Sequence, residues 1–133
     1  MIVRGGTVVT PSGLARADVR IEDGRVAEVA PDLDEQADEL DAAGLHVFPG
    51  VVDAHVHFDE PGRADWEGIE TGSAAVAAGG GTCFVDMPLN AHPPTVDADA
   101  FRLKRAAMER SSVCDFALWG GLVPGNASRL AEL

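Results

Sequence analysis

A chain of 133 residues, 46% hydrophobic and 24% charged, has the composition of a soluble globular protein of about one domain, and no apolar run reaches the roughly 18 residues that span a membrane. Ten basic against 22 acidic residues leave a net charge of −12, which repels phosphate backbones and anionic lipids and so excludes nucleic acid and membrane surfaces as natural partners. The opening Met1-Ile2-Val3-Arg4-Gly5-Gly6 lacks the apolar core of a signal peptide, and Cys83 and Cys114 sit in apolar runs without CxxC spacing; a cytoplasmic protein with free thiols is expected.

Residues 1–48 read as short strands joined by tight turns. Ile2-Val3 and Thr7-Val8-Val9 flank Gly5-Gly6, and Pro11-Ser12-Gly13 turns the chain. Ala17-Asp18-Val19-Arg20-Ile21-Glu22 alternates apolar and polar with period two, as a half-buried strand does. Asp23-Gly24 is a two-residue hairpin signal, and Arg25-Val26-Ala27-Glu28-Val29 alternates again. Residues 31–39 are acidic and loop-like, and Asp41-Ala42-Ala43-Gly44 turns into Leu45-His46-Val47-Phe48. The pattern predicts an antiparallel β segment with hardly any helix.

At Pro49-Gly50 the pattern changes. Val51-Val52-Asp53-Ala54-His55-Val56-His57-Phe58 is rich in β-branched residues, and a polar loop follows over residues 59–67. Residues 69–78 predict a helix ended by Gly79-Gly80-Gly81. Residues 82–87 form a second apolar run, and residues 88–95 a loop with three prolines. Asp97 caps a helix through about residue 110, with Phe101, Leu103, Ala106, Ala107 and Met108 as its apolar members. Residues 113–119 predict a third strand, 120–125 a loop, and 126–133 the start of a third helix. Strand, loop and helix, three times over, predict parallel βα units. An eight-stranded βα barrel takes about 250 residues, so 133 residues leave room for three units, and a truncated barrel with an open sheet edge is expected.

The sharpest chemical feature is His55-Val56-His57 at the end of the first of these strands. Residues i and i+2 of a strand point to one face, so both imidazoles can reach a single metal ion. The C-terminal end of a barrel strand is also where such folds keep their active sites. Zinc suits imidazole donors, and a catalytic zinc needs at least three protein ligands. A bare HxH pair is more often structural or incidental; the neighbouring residues change that balance.

Pro49-Gly50-Val51-Val52-Asp53-Ala54-His55-Val56-His57 resembles the first barrel strand of the amidohydrolase superfamily, whose fingerprint is PG, two hydrophobic residues, then DxHxH. Glu60-Pro61-Gly62-Arg63, Trp66-Glu67-Gly68-Ile69-Glu70-Thr71-Gly72, Asp86-Met87-Pro88-Leu89-Asn90, Pro93-Pro94-Thr95 and Trp119-Gly120-Gly121-Leu122-Val123-Pro124-Gly125-Asn126 are similar to its cyclic amidohydrolase branch, most of all the allantoinases. The likeness runs over nearly the whole chain and is weakest before residue 40. It implies an α/β fold: residues 1–48 as the N-terminal part of a small β-sandwich, and residues 49–133 as the first three βα units of a metal-dependent TIM-like barrel.

By that resemblance His55 and His57 bind the more buried of two divalent metal ions, zinc being the expected metal. A carboxylated bridging lysine, two further histidines and an aspartate are expected beyond Leu133. The implied chemistry is metal-assisted opening of a cyclic amide, allantoin to allantoate, with homo-oligomers common in the family. No catalytic base falls within the 133 residues, so the chain alone is expected to be inactive. Lys104 lies mid-helix rather than at a strand end and does not qualify as the bridging lysine. His46 reads as a packed or surface residue, His92 as an exposed loop residue rather than a ligand, and Asp53 as a hydrogen-bonding residue near its strand.

Asn90 either bonds a ring carbonyl or ureido group or serves as a turn residue beside prolines. Arg63 either binds substrate or ties down its loop, the second being the commoner role. Asp86, ending its strand, is placed to hydrogen-bond an imidazole N–H behind the metal, and Trp66 and Trp119 read as packing residues. The nearest rival, dihydroorotase, typically carries an arginine two positions after the second histidine to pair with a substrate carboxylate. That position is Asp59 here, where allantoinases commonly have asparagine. Hydantoinases and dihydropyrimidinases share the fold, but the Glu60-Pro61-Gly62-Arg63 run suits them less well. A non-catalytic scaffold or gene remnant is an answer of another class, and both histidines of the pair weigh against it for the parent protein.

Overall fold

Alternating apolar residues make a single strand, β1 (Ile2–Thr10), where two short strands were expected. The chain passes Gly5-Gly6 by a bulge between Val3 and Gly6 and stays in the ladder. This computed structural model describes residues 1–34 and 37–133 and divides into two units, Met1–Pro49 and Gly50–Leu133. In the first unit β1 pairs antiparallel with β2 (Gly13–Glu22), which pairs antiparallel with β3 (Arg25–Ala30). The β2–β3 turn is the expected Asp23-Gly24 hairpin, with φ of 48° and 72°, both in the left-handed region that a type I′ turn requires.

The segment is not wholly antiparallel. Short strands β4 (Glu39–Asp41) and β5 (His46–Val47) both join β1 in parallel. The acidic loop before β4 is long enough to carry the chain back to the same end of the sheet, which sequence alternation cannot reveal. Residues 35–36 of that loop lie outside the described residues. Val3, Val8, Ala17, Val19 and Ala42 form the core of this unit.

The second unit has three parallel strands, β6 (Val51–Val56), β7 (Gly81–Asp86) and β8 (Asp115–Leu118), in sheet order β6-β7-β8. Helix α1 (Ile69–Ala78) links the first two and α2 (Ala98–Ser111) the last two. Asp97 caps α2 as predicted, its Oδ1 accepting from Ala100 N at 2.9 Å. The buried stripe of α2 differs from the expected one. Leu103 is exposed, and the inward residues are Ala100, Lys104, Ala107 and Met108, spaced i, i+4, i+7, i+8. The predicted third helix forms a 3-10 helix over Ala127–Glu132.

Phe58, Ile69, Phe84, Ala107 and Met108 make the second core. The Phe58 ring meets Phe84 edge-on at 4.8 Å. Gly72 admits that ring to α1: a Cβ there would lie 2.2 Å from Phe58 Cε1. Cys83 and Cys114 are half-buried free thiols. No helix among the described residues is long and apolar enough to cross a membrane.

In the first unit the buried Asp18 carboxylate accepts from Gly5 N at 2.7 Å and Leu33 N at 3.1 Å and pairs with Arg4 at 2.9 Å. The Gly5 amide foremost, then Arg4 and Leu33, hold it below the usual carboxylate range against the upward push of desolvation. A carboxyl lowered in the fold stabilises it above the ordinary value, and that contribution is lost as pH falls through the folded value. Acidification below about pH 4 should therefore lower the melting temperature more steeply in the parent than in Asp18→Asn. Parallel acid slopes in thermal melts would contradict this.

Candidate metal centre

His55 is the penultimate residue of β6 and His57 follows the strand's last residue. Both rings are exposed, with centroids 5.2 Å apart and planes tilted by 59°. Two imidazoles that share one tetrahedral zinc at about 2.0–2.1 Å per bond put their ring centres about 5 Å apart. The pair therefore fits one such ion in donor type and spacing. Among the described residues, no third histidine, cysteine or carboxylate joins them in a cluster able to hold a metal.

The backbone that carries these rings is held largely by side chains. The β6–β7 register shifts between Asp53 and Val56. Across that gap Asp53 Oδ1 accepts from His55 N at 3.0 Å, while Trp119 Nε1 donates to Ala54 O at 3.0 Å. The peptide entering His55 is thus gripped on both sides. Asp53 takes the local bonding role expected of it, and Trp119 ties β6 to the end of β8.

The peptide leaving His57 is gripped from below. Phe58 N donates to Asp86 Oδ1 at 2.6 Å, and Asp86 Oδ2 pairs with Lys104 Nζ at 2.8 Å. Lys104 also donates to Phe58 O and, at 2.6 Å, to Glu60 O. Both side chains of the pair are about 1% exposed. Burial pushes the Asp86 carboxyl up, against the downward pull of Lys104, the Phe58 amide and the His57 charge. Asp86 thus accepts from the Phe58 amide and pairs with Lys104, where the sequence reading had it bonding an imidazole N–H.

Two loops meet above these strand ends. His92 N donates to Pro61 O at 2.8 Å, and Arg63 Nη1 to Asn90 O at 3.4 Å. The Arg63 guanidinium lies 4.9 Å over the Trp66 ring. The two residues named as substrate grips, Arg63 and Asn90, are thereby brought together. Glu60 Oε2 accepts from Ile69 N at 3.1 Å, capping α1. Asp59 is buried, and its Oδ1 has no hydrogen-bond partner among the described residues. His46 and His92 are exposed, as expected.

Sequence reasoning missed Lys104 and Asn126. Lys104 is the chain's single lysine, and its spacing with Ala100, Ala107 and Met108 was the signal that it faces inward. Buried Asn126 knits the third loop to the second, accepting from Val123 N at 2.9 Å and donating to Val96 O at 3.0 Å and Gly121 O at 2.8 Å. The sequence reading took it as the first residue of a third helix.

The amidohydrolase family model matches residues 46–131. The chain belongs to the amidohydrolase family. It is 61% identical over 132 residues to a protein of Solibacter usitatus named allantoinase, covering 99% of this chain and 29% of that protein. It is 58% identical to the allantoinase of Rubrobacter xylanophilus, over 100% and 29% of the two chains. Among solved structures, the L-hydantoinase (dihydropyrimidinase) of Arthrobacter aurescens superimposes with a TM-score of 0.87 at 36% identity, over 97% of this chain and 29% of that one. This amidohydrolase chain thus spans about three-tenths of the length of the relatives it matches.

Contact between the two loops has a mutational test. Gly62 has φ of +93°, and a Cβ there would sit 2.3 Å from His92 O. Gly62→Ala combines left-handed strain with overpacking and should cost roughly 2–4 kcal/mol in denaturant unfolding. Parental stability in that variant would contradict the docking of these loops.

Proposed function

We propose that these residues form the first part of a metal-dependent hydrolase that opens a cyclic amide, with allantoin to allantoate as the reaction. The observation that carries the reading is the pair of imidazoles at the C-terminal end of the first parallel strand, spaced for one ion. Identities of 45–61% to proteins named allantoinase support the substrate. His55 and His57 would hold one of two divalent ions, zinc fitting the donors. The remaining ligands and the general base would come from residues beyond these 133, a carboxylated lysine among them. A metal bound there supplies Lewis acidity toward the ring carbonyl and makes a water more acidic.

The chain's own residues contribute placement and selection. The bonds of Asp53, Trp119 and Asp86 hold the peptides on either side of the histidine pair, so the ligands are ordered before a metal arrives. Arg63, engaged with Asn90 O and Trp66, ties the loops together. The half-buried Asn90 side chain would offer its amide to a ring carbonyl or ureido group. Asp59 places a buried acceptor where an anionic substrate needs a cation, which favours a neutral, N–H-rich ring such as allantoin over dihydroorotate. The solved relatives named hydantoinases make a plain hydantoin or dihydropyrimidine the second reading.

The test is ring opening of allantoin, hydantoin, dihydrouracil and dihydroorotate by the full-length polypeptide that carries these residues. Turnover should be greatest with allantoin, stop on chelation, and fall to background in His55→Ala and His57→Ala. The 133-residue chain alone should show none. Metal-independent turnover, or none with any of the four rings, would overturn the reading.

A further inference from the structure

An ammonium and a carboxylate stand buried under the candidate site, Lys104 Nζ and Asp86 Oδ2 lying 2.8 Å apart. Lys104 donates to Phe58 O and Glu60 O and forms an ion pair with Asp86 Oδ2, an oxygen with no hydrogen bond of its own among the described residues. Asp86 uses its other oxygen on Phe58 N. One ion pair therefore grips both the N–H and the C=O of the residue that follows His57. Burying such a pair is generally no more stabilising than filling the same space with apolar side chains. The stripe of Ala100, Ala107 and Met108 on which Lys104 sits is otherwise apolar, so core stability alone gives no reason for a charge there. The position of the acceptors does: all three carbonyl and amide contacts fall on residues 58–60, immediately after the second imidazole.

We propose that the Lys104–Asp86 pair is a positioning device for the histidine pair, setting the direction of His57 through the peptide that joins it to Phe58. The peptide unit is planar, so fixing Phe58 N–H on Asp86 also fixes the carbonyl of His57 and with it the ψ rotation of His57. The proposal rests on the reading of His55 and His57 as metal ligands. Neither Lys104 nor Asp86 touches the metal or the substrate; both act through the backbone.

The experiment is a zinc titration of the full-length polypeptide that carries these residues, following the ring proton resonances of His55 and His57. Variants are Lys104→Met, Asp86→Asn, the paired change Lys104→Met with Asp86→Leu, and the core truncation Met108→Ala as a control for lost stability. Groups behind metal ligands are typically worth 10–100-fold in affinity, and Lys104→Met and Asp86→Asn should weaken zinc by about that factor. Met108→Ala should melt earlier yet bind zinc like the parent. If Lys104→Met does not fold, the paired apolar change restores a packed core and should still bind zinc weakly. Parental affinity in the folded pair variants, or an equal loss in Met108→Ala, overturns the proposal. Parental binding by His57→Ala would instead overturn the ligand reading beneath it, a separate outcome of the same titration.

Discussion

A lysine and an aspartate, each about 1% exposed and 2.8 Å apart, hold the second unit at the point where its three elements converge. Asp86 ends the middle strand, Lys104 faces inward from the second helix, and the backbone they both grip leaves the first strand. An ion pair in this setting is intolerant of half-measures. Removing one partner from a buried pair costs about 3–5 kcal/mol, because the other charge is left without solvent or partner. The geometry at the first strand end is therefore coupled to the placement of a helix 46 residues further on.

Above that pair, side-chain bonds and loop docking replace the sheet ladder. Between Asp53 and Val56 the β6–β7 register slips, and the Asp53 carboxylate and the Trp119 indole take over the peptide that regular pairing would have held. The loops after the first and second strands are then joined through Pro61, Arg63, Asn90 and His92, and the second and third through Asn126. The irregularity falls where the two imidazoles leave the strand, which is where a binding site needs the backbone to be directed by something other than pleat and twist.

Much of this was legible in the sequence because the signals were local and periodic. Alternation located β2 and β3, Asp23-Gly24 their turn, and Asp97 the start of α2. The HxH spacing placed both imidazoles at one strand end. What escaped was non-local. The parallel pairing of β4 and β5 with β1 depends on where a loop returns, and alternation carries no such information. Lys104 was set aside because it lies mid-helix, although its spacing with Ala100, Ala107 and Met108 marked it as inward. A charge in an apolar stripe is read as solvent-facing unless its partner is known, and Asp86 lies 18 residues earlier on another element. For Asp86 the strand end was legible and its bonding partners were not, since Phe58 N becomes an available donor only once the chain has left β6.

Everything proposed for this site requires that His55 and His57 bind one metal ion together. X-ray absorption at the zinc edge of the zinc-loaded protein tests it most directly. Joint binding predicts back-scattering from two imidazole rings with nitrogen at about 2.0–2.1 Å, reduced in a variant lacking either histidine. A spectrum without an imidazole contribution, or one unchanged in His55→Ala, would contradict it.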